Sequence, residues 1–162
     1  MMILAFFGDD SKAQNAIVTQ LEAVVKSHII DHLDNDRAFL SSEQKIGRVQ
    51  RLVSSRNRRD TVTVVTGITE KMEYQMLQQR GAVFCVLPGV LPAILSRGYV
   101  PIDNTFLYVS TNPARLDSAA KRRLFVTPEE AFSECYRREL NPRKKEAVIY
   151  RGELKLKTRG DV

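Results

Sequence analysis

Short apolar runs separated by amphipathic segments make up most of the chain and predict alternating strands and helices. Apolar or β-branched runs of five or six residues are typical of strands that are buried on both faces. Segments in which apolar residues recur every three or four positions are typical of helices that cover such a sheet. The predicted strands span residues 3–7, 61–66, 82–87 and 105–110.

Capping signals mark where the predicted helices begin. The predicted N-terminal caps are Asp10 or Ser11, Ser41 with Gln44, Thr69, and Thr127 with Glu130. Pro128 suits the first turn of the last helix, and Gly81 is expected to end the helix predicted over 70–80. The expected buried residues are Met72, Met76 and Leu77 in the latter helix, and Ala131, Phe132, Cys135 and Tyr136 in the last one.

This order of elements predicts an α/β fold of three layers. A mainly parallel sheet of four or five strands is expected between flanking helices, in a P-loop-like or Rossmann-like arrangement. The strands over 61–66 and 82–87, joined by one helix, indicate a right-handed βαβ crossover. Residues 147–157 predict a C-terminal hairpin or edge strand. No repeat or low-complexity linker divides the sequence, so residues 1–162 are predicted to form a single α/β domain.

The composition is typical of a soluble globular protein, with 43% hydrophobic and 27% charged residues. No apolar run approaches the roughly 20 residues that a membrane span requires. The first residues lack the basic stretch and cleavage site of a signal peptide, so a cytoplasmic location is expected. Cys85 and Cys135 are predicted to be buried thiols, with a disulfide between them as the less favoured alternative. Neither lies in a sequence that would activate it as a nucleophile.

Basic residues are clustered as well as numerous. Lysine and arginine number 25 against 19 aspartate and glutamate, which gives a formal net charge of +6, and residues 45–59 contain no acid. Such clusters favour an anionic partner, either nucleic acid or an acidic protein surface. Solvated helix faces also carry basic stripes, and the sequence leaves that interpretation open. The candidate residues for the anionic partner are Lys45, Arg48, Arg51, Arg56, Arg58, Arg59, Arg122 and Arg123.

Two histidines, His28 and His32, are four positions apart and close to several aspartates. On a helix this spacing places both rings on one face, which is one arrangement that metal ions use. The chain has only these two histidines, and no third ligand group is identifiable elsewhere in the sequence. The default interpretation is therefore the end of a helix with solvated side chains, and no metal is predicted.

The turn after the first predicted strand has the sequence GDDSKA and could bind phosphate. Strand, tight turn and helix begin many nucleotide-binding domains, because a helix N-terminus presents N–H groups and a positive dipole to an anion. The tentative phosphate-binding residues are Gly8, Ser11 and Lys12. The signature G-x-x-x-x-G-K-[ST] is incomplete, since the second glycine and the magnesium-binding hydroxyl are missing. In the alternative interpretation Asp10 or Ser11 only caps the helix.

With this turn, the basic helix and the segment VTVVTGITEKMEYQMLQQRGAVFCVL, residues 1–90 resemble phage-type deoxynucleoside monophosphate kinases of the P-loop kinase superfamily. The resemblance implies a kinase-like fold with a nucleotide phosphate near Gly8, Ser11 and Lys12. The chain departs from the family pattern after residues 61–66, where Thr66 and Gly67 stand in place of an aspartate. That departure favours a non-catalytic relative.

Two functions are therefore expected as alternatives. The first is a non-catalytic binding or accessory protein, of phage or mobile-element type, that needs no cofactor and engages nucleic acid or an acidic protein through its basic face. The second is a nucleotide-binding enzyme, a nucleoside monophosphate kinase-like phosphotransferase that uses a nucleotide with magnesium.

Overall fold

The centre of the protein is a six-stranded sheet in which every paired strand runs parallel to its neighbour. The computed structural model describes residues 1–56 and 58–141. The strands are β1 Met2–Phe7, β2 Ile29–Asp34, β3 Thr61–Thr66, β4 Val83–Val86, β5 Leu107–Val109 and β6 Phe125–Val126. Their order across the sheet is β2-β3-β1-β4-β5-β6. β1 is therefore central, and β2 and β6 are the outermost strands.

Helices connect the strands and cover both faces of the sheet. They are α1 Ser11–Val24, α2 Ser42–Ser54, α3 Lys71–Gln79, α4 Ala93–Ser96, α5 Ala119–Leu124 and α6 Pro128–Leu140, with a 3-10 turn at Pro113–Arg115. Capping boxes at Ser41 and Thr127 begin α2 and α6, as predicted. Within the described ranges no helix is long and apolar enough to cross a membrane.

Alternate residues of β1 supply the two halves of the core. Leu4 and Phe6 pack with α1 and α6 on one face, while Ala5 and Phe7 pack with α2, α3 and α4 on the other. All six residues of β1 are buried, which explains its near-continuous apolar sequence. The prediction of a three-layer α/β fold with a parallel sheet is confirmed.

Within the described residues the sheet has six strands, whereas four or five were expected. The interpretation of the segment around His28 and His32 as the end of a helix was wrong, because β2 is an outer strand of the sheet. Its sequence IIDHLD mixes exposed and half-buried positions, so it lacks the apolar run of a central strand. The pairing with β3 makes it a strand, and that partner is distant in the sequence.

Three details of the predicted helices were also wrong. Glu70, not Thr69, is the N-cap of α3. Met72 is 54% exposed and Tyr136 is 41% exposed, although both were expected in the core. On α3 the buried positions include Glu73 and Tyr74. The face of the helix that packs against the protein is therefore not the face that carries Met72. The predicted hairpin over 147–157 lies outside the described residues.

Candidate functional site

The parallel sheet has two distinct edges, and the candidate residues divide between them. We call the edge where the strands end the carboxyl edge and the edge where they begin the amino edge. The turn at Gly8 follows β1 and therefore lies at the carboxyl edge. The second half of α2 leads toward the start of β3 and lies at the amino edge.

At the carboxyl edge, the turn between β1 and α1 is closed by its own residues. The Asp10 carboxylate accepts the backbone N–H of Lys12 at 2.8 Å and caps α1, as the capping interpretation predicted. A Cβ on Gly8 would lie 3.0 Å from Leu87 Cδ1, so the turn packs tightly against the residue that follows β4. The turn thus has a structural explanation that needs no phosphate.

A small cleft of about 180 Å³ lies beside this turn. Asp9 and Asp10 both line it, together with the segment from Leu87 to Val90. Ser11 and Lys12 are exposed and do not line the cleft. Two carboxylates facing the cleft, with the lysine outside it, disfavour the binding of a phosphate there.

A buried polar side chain, Gln14, joins the two neighbouring turns of the carboxyl edge. Its amide Nε2 donates to the carbonyl of Gly8 at 2.8 Å, and its Oε1 accepts the N–H of Gly67 at 3.0 Å. Gln14 is only 2% exposed. Its burial could not be predicted, because a glutamine near a helix start carries no local signal that it will be buried.

A second buried group at this edge is built around Glu73, which is fully buried. Its carboxylate accepts the Asn35 amide at 2.7 Å and the backbone N–H groups of Thr69 and Glu70 at 2.9 and 2.8 Å. Asn35 also donates to the Lys45 carbonyl at 3.2 Å. These bonds tie β2, α2 and the turn after β3 together, so we assign Glu73 a structural role.

The basic residues of α2 and the following loop form a different site at the amino edge. Arg48, Arg51, Arg56 and Arg58 line one cavity of about 530 Å³, which we call the arginine cavity. The cavity is bounded on the other side by the sheet. The remaining lining residues are Met1, Asp31, Leu33, Leu52, Ser55, Thr61 and Thr63.

The electrostatic balance of the arginine cavity is strongly positive. Among the described residues, no carboxylate lies within 4.0 Å of the four guanidinium groups. Arg51 Nε donates to the Gly47 carbonyl at 3.3 Å, one turn earlier on α2. Of the described lining residues, Asp31 is the one that is acidic. The cavity therefore holds several guanidinium groups whose charge is not neutralised by an ion pair with a described residue.

The other predicted basic residues lie elsewhere. Lys45 reaches toward the carboxyl edge, where its Nζ donates to Thr69 Oγ1 at 3.2 Å. Arg59 is exposed but does not line the arginine cavity. Arg122 and Arg123 are on α5, next to β6 and thus on the opposite side of the sheet from β2. The structure brings four of the eight candidates together.

The two histidines have separate surroundings. The His28 ring packs against Phe132 and Tyr136, with ring centroids 5.4 and 5.7 Å apart. His32 Nε2 lies 2.9 Å from Thr66 Oγ1, and burial lowers the pKa of this imidazole. In residues 1–56 and 58–141, no cluster of three or more histidine, cysteine or acidic side chains could hold a metal ion.

Both cysteines are buried free thiols, as predicted. Burial raises the pKa of the Cys135 thiol to about 11 and raises the pKa of Cys85 further. Neither thiol is a nucleophile at neutral pH, because the thiolate is the reactive form.

Comparisons with known proteins add no relative from which a role could be transferred. The chain matches no protein-family model, and no curated protein or solved structure is significantly similar to it.

Proposed function

We propose that this protein is a non-catalytic, nucleic-acid-binding accessory protein, of the phage or mobile-element type, and that it binds through the arginine cavity. The observation that carries the proposal is the convergence of Arg48, Arg51, Arg56 and Arg58 on one concave site. Guanidinium groups recognise phosphate oxygens with paired, planar hydrogen bonds, and they keep their charge at all physiological pH values.

The lining of the arginine cavity favours nucleic acid over an acidic protein. Among the described lining residues there is no aromatic side chain, and apart from Asp31 those that are not basic are apolar or carry a hydroxyl group. The centres of protein–protein interfaces are enriched in tyrosine, tryptophan and phenylalanine as well as arginine. A concave site that combines several arginines with threonine hydroxyls is better suited to a phosphate-bearing backbone than to a protein surface.

The test is fluorescence anisotropy with labelled single-stranded and duplex 12-mer DNA over a series of salt concentrations. We expect the triple variant Arg48→Ala/Arg51→Ala/Arg58→Ala to weaken binding at least ~30-fold. The slope of log K against log salt should decrease by about 0.7 to 0.9 for each phosphate contact that is lost.

The matched control removes the same charge at three exposed arginines outside the cavity: Arg80→Ala/Arg97→Ala/Arg115→Ala. An equal loss of affinity in the control would mean that net charge alone drives binding, and it would overturn the assignment to the cavity. Failure of the unaltered protein to bind either oligonucleotide at low salt would contradict nucleic acid as the partner. An acidic protein surface would then be the remaining candidate.

The second candidate, a nucleotide phosphotransferase, is favoured by the position of the Gly8 turn. β1 is central, and the connections after β1 and after β3 lead to opposite sides of it. In open α/β sheets, ligands bind at such a point, beyond the carboxyl ends of the strands. A nucleotide there would meet Gly8, and it would have to extend beyond the cleft to contact Ser11 and Lys12.

The residues present do not fit a magnesium nucleotide well. The cleft at this point is lined by Asp9 and Asp10, and the Lys12 N–H is already bonded to the Asp10 carboxylate. We therefore place this candidate second. Calorimetric titration with ATP and magnesium tests it, since binding that Lys12→Ala abolishes would support it and an absence of heat would contradict it.

A further inference from the structure

One lining residue of the arginine cavity has the wrong charge for a site that binds only phosphate. Asp31 lies on β2, directly beside Thr63 of β3 in the sheet register. It lines the cavity together with Thr63 and with the arginines of α2. The site thus presents guanidinium groups from α2 and the loop after it, and a carboxylate from the sheet.

The carboxylate of Asp31 has no partner among residues 1–56 and 58–141. Among the described residues it accepts no hydrogen bond, and it forms no ion pair with any of the four arginines around the cavity. Opposite charges at about 4 Å attract each other by roughly 1 to 4 kcal/mol near a protein surface, so pairing would be favourable if the groups could meet. The carboxylate and the guanidinium groups come from separate elements, and both line the same cavity.

A ligand that carries only phosphate would be repelled by Asp31. A nucleotide carries a phosphate and, a few ångströms away, N–H and O–H donors on its base and sugar. We propose that the arginine cavity holds one nucleotide unit, with the phosphate on the guanidinium groups and a base or sugar donor on the Asp31 carboxylate. This inference rests on the proposed function and names the unit that the cavity binds.

The volume of the arginine cavity is compatible with one nucleotide unit. Its volume of about 530 Å³ is within the roughly 300 to 1,000 Å³ that is typical of small-molecule sites. A nucleotide that is unpaired, either free or within a single strand, exposes its base donors to such a site. In a duplex, the donors on the base-pairing edge are already hydrogen-bonded to the opposite base.

An acceptor placed in this way would also give selectivity. A site that hydrogen-bonds a donor of its ligand rejects analogues without that donor, because the acceptor is left unpaired on binding. Thr61 and Thr63 add hydroxyl groups on the same wall of the cavity. Asp31 would therefore distinguish a nucleotide from a simple polyphosphate.

The decisive variant is Asp31→Ala, tested with three probes: AMP, a single-stranded 12-mer and inorganic tripolyphosphate. We expect the variant to weaken binding of the nucleotide probe ~10-fold or more, since it loses a hydrogen bond to a charged acceptor. The same variant should strengthen tripolyphosphate binding several-fold, because a repulsive charge is removed. Only a ligand with a donor on Asp31 gives this opposite response.

The control is Asp60→Ala, which removes an acid near the start of β3 that does not line the cavity. It should change the affinity for all three probes in the same direction. Asp31 is exposed, so its replacement by alanine should leave the melting temperature nearly unchanged.

The outcomes separate this inference from the proposed function. If Asp31→Ala strengthens binding of AMP and the 12-mer as well as tripolyphosphate, the nucleotide assignment is overturned while the arginine site stands. If the arginine triple variant binds every probe as well as the unaltered protein, the proposed function itself fails. AMP that competes with the 12-mer indicates a free nucleotide as the ligand, and binding of the 12-mer alone indicates a nucleotide within a strand.

Discussion

Gly67 shows how closely the turns of the carboxyl edge are packed. Its backbone has φ of +71°, and a Cβ at this position would lie 2.1 Å from the backbone nitrogen of Asp36. Its N–H donates to Gln14 Oε1. The turn after β3 is therefore wedged between α1 and the segment that follows β2, and only glycine fits.

We expect Gly67→Ala to destabilise the protein by at least about 3 kcal/mol, because the added methyl group meets backbone and the conformation is strained. Chemical denaturation measures the effect. The matched control is Gly47→Ala on α2, where nothing lies within 4 Å of the added Cβ and alanine should stabilise the helix by up to about 1 kcal/mol. Similar effects at both positions would contradict the packing argument.

The burial of polar residues such as Glu73 could not be predicted from the sequence. Glu73 occupies the third position of α3, where a glutamate that reaches back to the cap is common, and this was the one available signal. Its burial depends on Asn35, which is 38 positions away in the sequence. A local pattern carries no information about such a partner.

At the scale of elements, α6 is stabilised by a capping box at its N-terminus and by ion pairs in its second half. Thr127 and Glu130 form its capping box. In the middle of the helix, Glu134 accepts hydrogen bonds from Arg137 at 2.7 Å and from Arg138 at 2.6 Å. Arg138 also donates to the Thr105 carbonyl at 3.3 Å, which connects α6 to the segment before β5.

These contacts predict a pH dependence of stability. Hydrogen bonds from Arg137 and Arg138 lower the pKa of Glu134 from 4.5 to about 2. Since the folded pKa is depressed, the stabilisation is present above pH 4.5 and is lost as the pH falls to about 2. We expect Glu134→Gln to cost about 1 kcal/mol at pH 7, and the difference from the unaltered protein to shrink across that pH range.

Denaturation at a series of pH values measures that difference. The control is Glu129→Gln in the first turn of α6, an exposed residue whose carboxylate makes no ion pair with a described residue. A loss of stability in Glu134→Gln that does not change with pH would contradict the ion-pair explanation.

The elements themselves differ in how far their sequences determine them. β1, β3 and β4 are buried on both faces, so their apolar runs were sufficient to predict them. β2 has the composition of a turn and becomes a strand by pairing with β3. β5 is shorter than predicted, and β6 has only two residues, too few for a periodic pattern.

At the scale of the whole molecule, the two candidate anion sites are on opposite edges of the sheet. The Gly8 turn follows the end of β1, and the arginine cavity lies near the start of β3. A six-residue strand spans about 20 Å at roughly 3.3 Å per residue. This exceeds the screening length of about 8 Å at physiological salt, so the two sites should act independently.

We therefore expect Lys12→Ala to leave oligonucleotide binding at the arginine cavity unchanged within about 2-fold at physiological salt. Arg48→Ala should weaken the same binding ~5-fold or more, since a charge-assisted hydrogen bond is lost. Anisotropy titrations of both single variants provide the comparison. An equal loss in the two variants would mean that one ligand spans both edges, and it would contradict the independence of the sites.

The sequence by itself determined the fold class, the central buried strands, the capped starts of α2 and α6, and the basic character of residues 45–59. These features depend on local periodicity, local hydrogen bonds and composition, all of which can be read within a few residues. Only the tertiary structure decided which basic residues share a site, because α2 packs on the sheet and leaves four arginines around one cavity. It alone placed Asp31 opposite them, since the pairing of β2 with β3 depends on contacts between segments that are far apart in the chain.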